Sequence, residues 1–286
     1  MAVTPSGRLD VACVGDNCVD VWIDGAGELC DRELAGGNAF NVAVELARRG
    51  YNVGYFGAIG DDHHGELILE AAVAAGVDVS RMVRVPGPTG RTVVARDPSG
   101  ERRFVSEDDG VASTYRLDDV SGEQVSRCRW AHFSRQPDLA RWAPALRARG
   151  TRCSCDLGLD GGVDVLHELA PALDVVFLSS SASRGRSGEE LLDDALRAGA
   201  RLAVVTLGPE GSIAARSGQR WRADAEPVPE VIDTLGAGDA FIAAFIAATL
   251  EEREVGDALR AGAVAGARAC ARWGLASPLQ TDEVPA

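Results

Sequence analysis

The stretch VIDTLGAGDAFIAAF, residues 231–245, carries the reading of the whole chain. Gly236, Ala237 and Gly238 permit a tight turn with backbone N–H groups pointing one way, and an apolar helix follows at once. A helix start of this kind attracts anions, because its first N–H groups lack intrahelical partners and the helix dipole favours negative charge there. Asp239, in the first turn, then has two readings. It is a favourable charge at a helix N-terminus, or it takes a proton from a hydroxyl while the Gly236–Gly238 amides hold a transferring phosphoryl group. The stretch alone leaves both open. Just upstream, Pro227, Val228 and Pro229 predict extended backbone, with Val231 and Ile232 as the end of an apolar strand.

Outward from this stretch, strands and helices alternate. LDVACVG (9–15), VGYFGAIG (53–60), RWAHFS (129–134), TRCSCDL (151–157), LDVVFLS (173–179) and RLAVVTLG (201–208) read as strands. Apolar spacing at 39, 40, 43, 44, 46 and 47 predicts a helix within 36–50, and 60–76 reads as another, with Asp61 or Asp62 as N-cap. Further helices are expected near 138–149, 162–171, 188–199, 237–251 and 255–273. This alternation predicts an α/β fold with a mostly parallel central sheet and helices on both faces. Residues 80–106 differ. Their short alternating runs, cut by PGPTG and DPSG, predict antiparallel strands of a small lid, joined by strands from about 20–34. Without repeats or linkers, residues 1–286 read as a single domain.

Charge and composition narrow the function. The chain has 29 basic and 43 acidic side chains for a net charge of −14, and every basic residue is arginine. An acidic surface makes nucleic acid and anionic membranes poor partners. The absence of lysine excludes the P-loop and protein-kinase arrangements and Schiff-base catalysis. Cys153 and Cys155 form a C-x-C that strand alternation explains as well as metal binding does, and no second Cys or His pair completes a zinc site. His63 and His64, being adjacent, are expected to face apart on a helix. The G-x-G at 236–238 has Phe241 in place of a third glycine, which removes a dinucleotide fingerprint. No signal-type or membrane-length apolar run is present, so a reduced, cytoplasmic protein is expected.

Three other segments carry chemistry-bearing residues. AVVTLGPEGS (203–212) places Thr206, Gly208 and Gly211 at a bend that suits either a hairpin turn or a phosphate. In AGGNAFN, Gly36 and Gly37 allow close backbone approach, and Asn38 and Asn41 offer amides that cap a helix or grip a polyol. GDNCVD places Asp16 and Asp20 after the first strand, as turn residues or as acceptors for hydroxyls.

Taken together, GGNAFN early and DTLGAGDAF late resemble the ribokinase-like (PfkB) carbohydrate kinase family, and the resemblance spans nearly the whole chain. It implies a three-layer ribokinase-like fold with a small β-sheet lid over a sugar. It assigns Asp239 as the general base toward a substrate hydroxyl that attacks the γ-phosphate of ATP, with Gly236, Ala237 and Gly238 as the anion hole. Thr206, Gly208 and Gly211 match the nucleotide side. Asp20, Gly37, Asn38 and Asn41 match the sugar contacts, with Asp16 adding to them, and Asp233 and Thr234 stand where some relatives bind a monovalent cation such as K⁺. GDNCVD, GGNAFNVAV, VTLGPEGSIA and VIDTLGAGDAFIA are most similar to members that phosphorylate fructosamines, here at a primary 6-hydroxyl. An ammonium group of such a substrate would then meet Glu107, Asp108 and Asp109. The family's N-x-x-E is replaced by LSSSASRG, which makes Ser179 the candidate on the phosphate side and leaves the residue that organises Mg²⁺ open. Ribose, fructose, 2-keto-3-deoxygluconate or a nucleoside are the alternative acceptors, and a non-catalytic sugar- or nucleotide-binding protein is the alternative class. Pairing of two lids into a homodimer is a further expectation from the family.

Overall fold

The computed structural model describes residues 8–23, 29–96, 102–134, 138–158, 163–180 and 185–276. In chain order its elements begin with β1 (Val11–Val14), β2 (Cys18–Ile23), β3 (Leu29–Gly36), α1 (Asn38–Arg48), β4 (Val53–Phe56), β5 (Ala58–Ile59) and α2 (His63–Ala74). They continue with β6 (Val83–Arg84), β7 (Thr89–Arg96), β8 (Arg102–Gly110), α3 (Asp119–Val125), β9 (Trp130–Ser134), α4 (Leu139–Ala148), β10 (Arg152–Asp156), α5 (Val163–Leu169) and β11 (Val175–Ser179). The last third holds α6 (Gly188–Arg197), β12 (Ala203–Thr206), β13 (Ser212–Arg216), β14 (Gln219–Ala223), α7 (Ala237–Leu250) and α8 (Val255–Cys270).

The main sheet has the order β14-β13-β12-β11-β10-β9-β1-β4, parallel from β4 through β12 and antiparallel beyond. Its central strands are apolar on both faces because helices cover both. Val11 and Cys13 of β1 pack with Phe40, Ile68, Phe245 and Leu259 from α1, α2, α7 and α8. Ala12 and Val14, pointing the other way, pack with Leu139, Leu146, Leu166 and Leu192 from α4, α5 and α6. Helix α7 is buried nearly all round, which explains its lack of a polar stripe. Gly262 of α8 makes this close packing possible, since a Cβ there would stand 2.6 Å from the Phe241 ring.

The lid is a second sheet, β3-β2-β7-β8. It differs from the expected antiparallel flap in two ways. Strands β2 and β7 pair in parallel, and the segment before Thr89 belongs elsewhere, with β6 pairing in parallel with β5 beside the main sheet. The lid root is pinned at Thr89, whose N–H and hydroxyl donate to the two Asp62 carboxylate oxygens at 3.0 and 2.6 Å. Asp62 is also the N-cap of α2, accepting from the Gly65 N–H at 2.9 Å. One acid therefore ties the lid to a helix. Part of the expected 20–34 lid segment, residues 24–28, and the DPSG turn lie outside the described residues.

Other expectations shift locally. Residues 231–232 form no strand, and Val231 is exposed. Their backbone is held instead by α8, with the Ile232 N–H donating to the Cys270 carbonyl at 2.8 Å. Cys153 and Cys155 lie on one face of β10 and are buried in the core, where burial raises both thiols, Cys153 to about 12. His63 and His64 do not diverge, because both reach Glu33 on β3, at 3.7 and 3.3 Å. Among the described residues no helix is long and apolar enough to cross a membrane.

Candidate active site

The strand order reverses at β1: the chain passes from β1 to β4 on one side, and later strands build outward from β9 on the other. In open parallel sheets the crevice outside the strand C-termini at such a switch point is where ligands bind. The residues that end these strands or follow them are Gly15 and Asp16 after β1, Ser134 on β9, Asp156 on β10, Ser179 on β11 and Thr206 on β12.

A cavity of about 160 Å³ opens there beneath the lid. Asp16, Asp20, Gly37, Asn38, Asn41, Gly236 and Asp239 all line it, so the structure gathers residues far apart in sequence into one place. The lid adds Thr92, Phe104, Glu107, Asp108 and Asp109.

Several of these side chains are held by traceable contacts. The Asp16 carboxylate accepts from the Asn38 and Ala39 N–H groups at 3.1 and 3.2 Å, capping α1 from outside the helix. This frees the Asn38 side chain, whose amide donates to Asp156 at 3.1 Å. Sequence reasoning misses Asp156; its position as the final acid of a parallel strand is the available signal. Asn41 lies one turn further along α1 and donates to Asp239 Oδ2 at 2.8 Å, joining the two motifs that are 198 residues apart. The Asn41 Oδ1 atom is buried with no hydrogen-bond partner. Asn17, also missed, uses its amide to donate to the Tyr55 hydroxyl and the Ala58 carbonyl, at 2.9 and 2.7 Å.

Asp239 is buried at the third helical position of α7. Burial holds its carboxyl well above the ordinary carboxylate range, and the charges of Asp156, Asp16 and Asp20 push the same way against the Asn41 hydrogen bond. Gly236 before it is left-handed, with φ 77°, and a Cβ there would stand 2.7 Å from Leu275 Cβ. A Cβ at Gly238 would meet nothing within 4 Å, so the helix start faces open space of the kind an anion needs.

The remaining expected residues fall into two places. Ser179 and Thr206 are register partners on β11 and β12, and Gly208 and Gly211 bound the one-turn helix that follows, both left-handed at φ 59° and 90°. They are not among the residues lining the cavity and form a separate station along the same sheet edge. Asp233 is buried, and its oxygens accept the Leu235 and Gly274 N–H groups at 2.9 and 3.2 Å, which shapes the turn into α7. The Thr234 carbonyl accepts from the Ala237 N–H at 3.3 Å.

Known proteins resemble this chain over most of its length. The model of the pfkB family carbohydrate kinases matches residues 8–282. A fructoselysine 6-kinase of Shigella flexneri is 32% identical, covering 82% of this chain and 87% of that protein. The fructosamine kinase FrlD of Bacillus subtilis (strain 168) is 31% identical, covering 93% and 92%. Among solved structures, the ribokinase of Arabidopsis thaliana complexed with ribose and ATP superposes with a TM-score of 0.81 at 26% identity, covering 94% of each chain. The fold is ribokinase-like, and the chain belongs to the pfkB family of carbohydrate kinases.

Proposed function

We propose that this kinase phosphorylates a primary hydroxyl of an amine-bearing sugar, a fructosamine, with Asp239 as general base. The observation that carries this reading is the charge of the cavity. Six carboxylates line it, those of Asp16, Asp20, Glu107, Asp108, Asp109 and Asp239, and among the described residues no arginine or histidine does. Such a lining disfavours an anionic acceptor such as a sugar acid and favours a cation. Glu107, Asp108 and Asp109 on β8, with Phe104, would receive the ammonium group, and Asp239 at the start of α7 would receive the hydroxyl proton. The names of the relatives point the same way.

Asp16, Asp20, Asn38 and Asn41 hold the hydroxyls of the sugar, and Gly37 lets the backbone approach it. Asn41 fixes one oxygen of Asp239 and leaves the other to receive the proton of the attacking hydroxyl. A carboxylate whose proton affinity is raised by burial is a better base for this task than a solvated one. The open space before Gly238 fits a phosphate, and the Gly236, Ala237 and Gly238 amides would hold it without moving during transfer. ATP, bound with Mg²⁺, supplies the phosphoryl group. Thr206, Gly208 and Gly211 would hold its nucleotide side, with Ser179 toward the phosphates, and Asp233 and Thr234 would flank a K⁺ ion. Two lids pairing into a homodimer, in a cytoplasmic enzyme, complete the reading.

The test is ADP release with and without acceptors, followed by phosphorus–proton NMR of the product. ADP release that rises only with a fructosamine, with phosphate on its 6-oxygen, supports the reading. Equal release with every sugar, or none with any, overturns it.

A further inference from the structure

We infer that Trp273 is a positioning residue that braces the Asp233–Asp239 turn from the lid. The inference rests on the reading of that turn as the phosphoryl-transfer site. Three observations converge on the short segment that follows α8.

The first is its contact with the lid. Trp22 of β2 is buried, and its ring meets Trp273 edge to face with centroids 5.1 Å apart. From β3, the Arg32 guanidinium lies 3.9 Å from the centre of the same Trp273 ring. Two adjacent lid strands, β2 and β3, therefore close on one side chain, through contacts that are each favourable in their own right.

The second is the next two residues, which hold the turn. The Gly274 N–H donates to Asp233 Oδ2 at 3.2 Å. Leu275 lies directly beneath Gly236, where a Cβ would stand only 2.7 Å from its own. Trp273 is thus one residue from the Asp233 contact and two from the wall of the anion-binding glycine.

The third is that the segment has little freedom to absorb a shift. Arg48 of α1 donates to the Leu275 and Ala276 carbonyls at 2.6 and 3.1 Å, and Arg272 reaches Glu45 of α1 at 2.6 Å. Displacement of Trp273 by the lid is therefore passed to Gly274 and Leu275 rather than lost in a loose tail. Trp22 and Arg32, in contact with Trp273 in this structure, thereby hold the Gly236–Asp239 geometry through Gly274 and Leu275.

The test is hydrogen exchange of the intact chain, read at residues 234–239, on Trp273→Ala, Trp273→Phe and Arg32→Ala. Exchange there is expected to speed up about tenfold in Trp273→Ala and Arg32→Ala, and to return toward the parent rate in Trp273→Phe, which keeps an aromatic edge. Arg32→Ala removes one of the two lid contacts and leaves the Trp273 ring in place, so it separates bracing from general destabilisation. Unchanged exchange at 234–239 in Arg32→Ala, or an equal rise over the whole chain, overturns the inference. With whichever acceptor the enzyme accepts, Trp273→Ala should lower kcat about tenfold while KM for ATP stays unchanged. The exchange readout needs no sugar, so a wrong substrate assignment would leave it interpretable.

Discussion

Replacing Asp239 by asparagine separates the two roles that the sequence allows it. Asparagine has the same shape, and its carbonyl oxygen can still accept the Asn41 amide hydrogen bond of 2.8 Å. What is lost is the charge and the proton acceptor. Loss of a positioned general base lowers kcat by about 10²- to 10⁴-fold, or about 3–5 kcal/mol of transition-state stabilisation. Stability should move the opposite way. The folded chain holds the Asp239 proton more tightly than the unfolded chain does, because burial and the surrounding acids oppose ionisation. Its contribution is fully present below the ordinary aspartate range near about pH 4 and is lost as pH rises through the elevated folded value. The Asp239→Asn side chain has no such proton to lose, so the variant should melt higher than the parent at pH 7–8, with the gap closing toward pH 4. The assays are steady-state ADP release and thermal melts at several pH values. If Asp239 were held only as a favourable helix N-terminal charge, its removal would cost about 0.3–1 kcal/mol and lower Tm. A kcat within tenfold of the parent would refute the base assignment, and a lower Tm at neutral pH would refute the burial-raised carboxyl.

Other perturbations test separate parts of the account. Neutralising Glu107, Asp108 and Asp109 together as Gln, Asn and Asn should raise KM for a fructosamine about tenfold or more while leaving KM for fructose nearly unchanged. Gly236→Ala places a Cβ against Leu275 at φ 77°, which should cost at least about 1–2 kcal/mol in denaturant melts and lower kcat as the turn shifts. His132 is fully buried on β9, where burial lowers its ring to about 3, and it lies 2.9 Å from the Ser154 hydroxyl. Its contribution to stability is present above the unfolded value near about 6.5 and falls away as pH drops toward the folded one, by about 2 kcal/mol between pH 7 and 5. His132→Phe should flatten that part of the Tm–pH curve, and an unchanged acid limb would contradict the assignment.

The layers of the fold are readable because the strands of a doubly covered sheet must be apolar on both faces, as VACV at 11–14 and VVFL at 175–178 are. The site is readable where glycines and short polar side chains stand at element boundaries, as in GGNAFN and LGAGDAF. Pairing information is not. Nothing local in VPGPTG shows that β6 joins β5 or that the lid starts at Thr89, since those outcomes depend on Asp62, 27 residues earlier. Asp156 and Asn17 are silent in the sequence for a similar reason. Their partners, Asn38 and Tyr55, are distant along the chain, and an acid at a strand end gains meaning only when the switch point beside it is known. The adjacency of His63 and His64 misleads because long side chains at the start of α2 can both bend toward one glutamate on β3.

We propose selection of an amine-bearing sugar by this cavity. Its most direct measurement is the ratio of kcat/KM for fructoselysine to that for fructose, in the same ADP-release assay with saturating MgATP. A hydrogen-bonded charge contact that only the ammonium can make predicts a ratio of about 10 to 100 in favour of fructoselysine. A ratio near one, or one that favours fructose, would contradict the account.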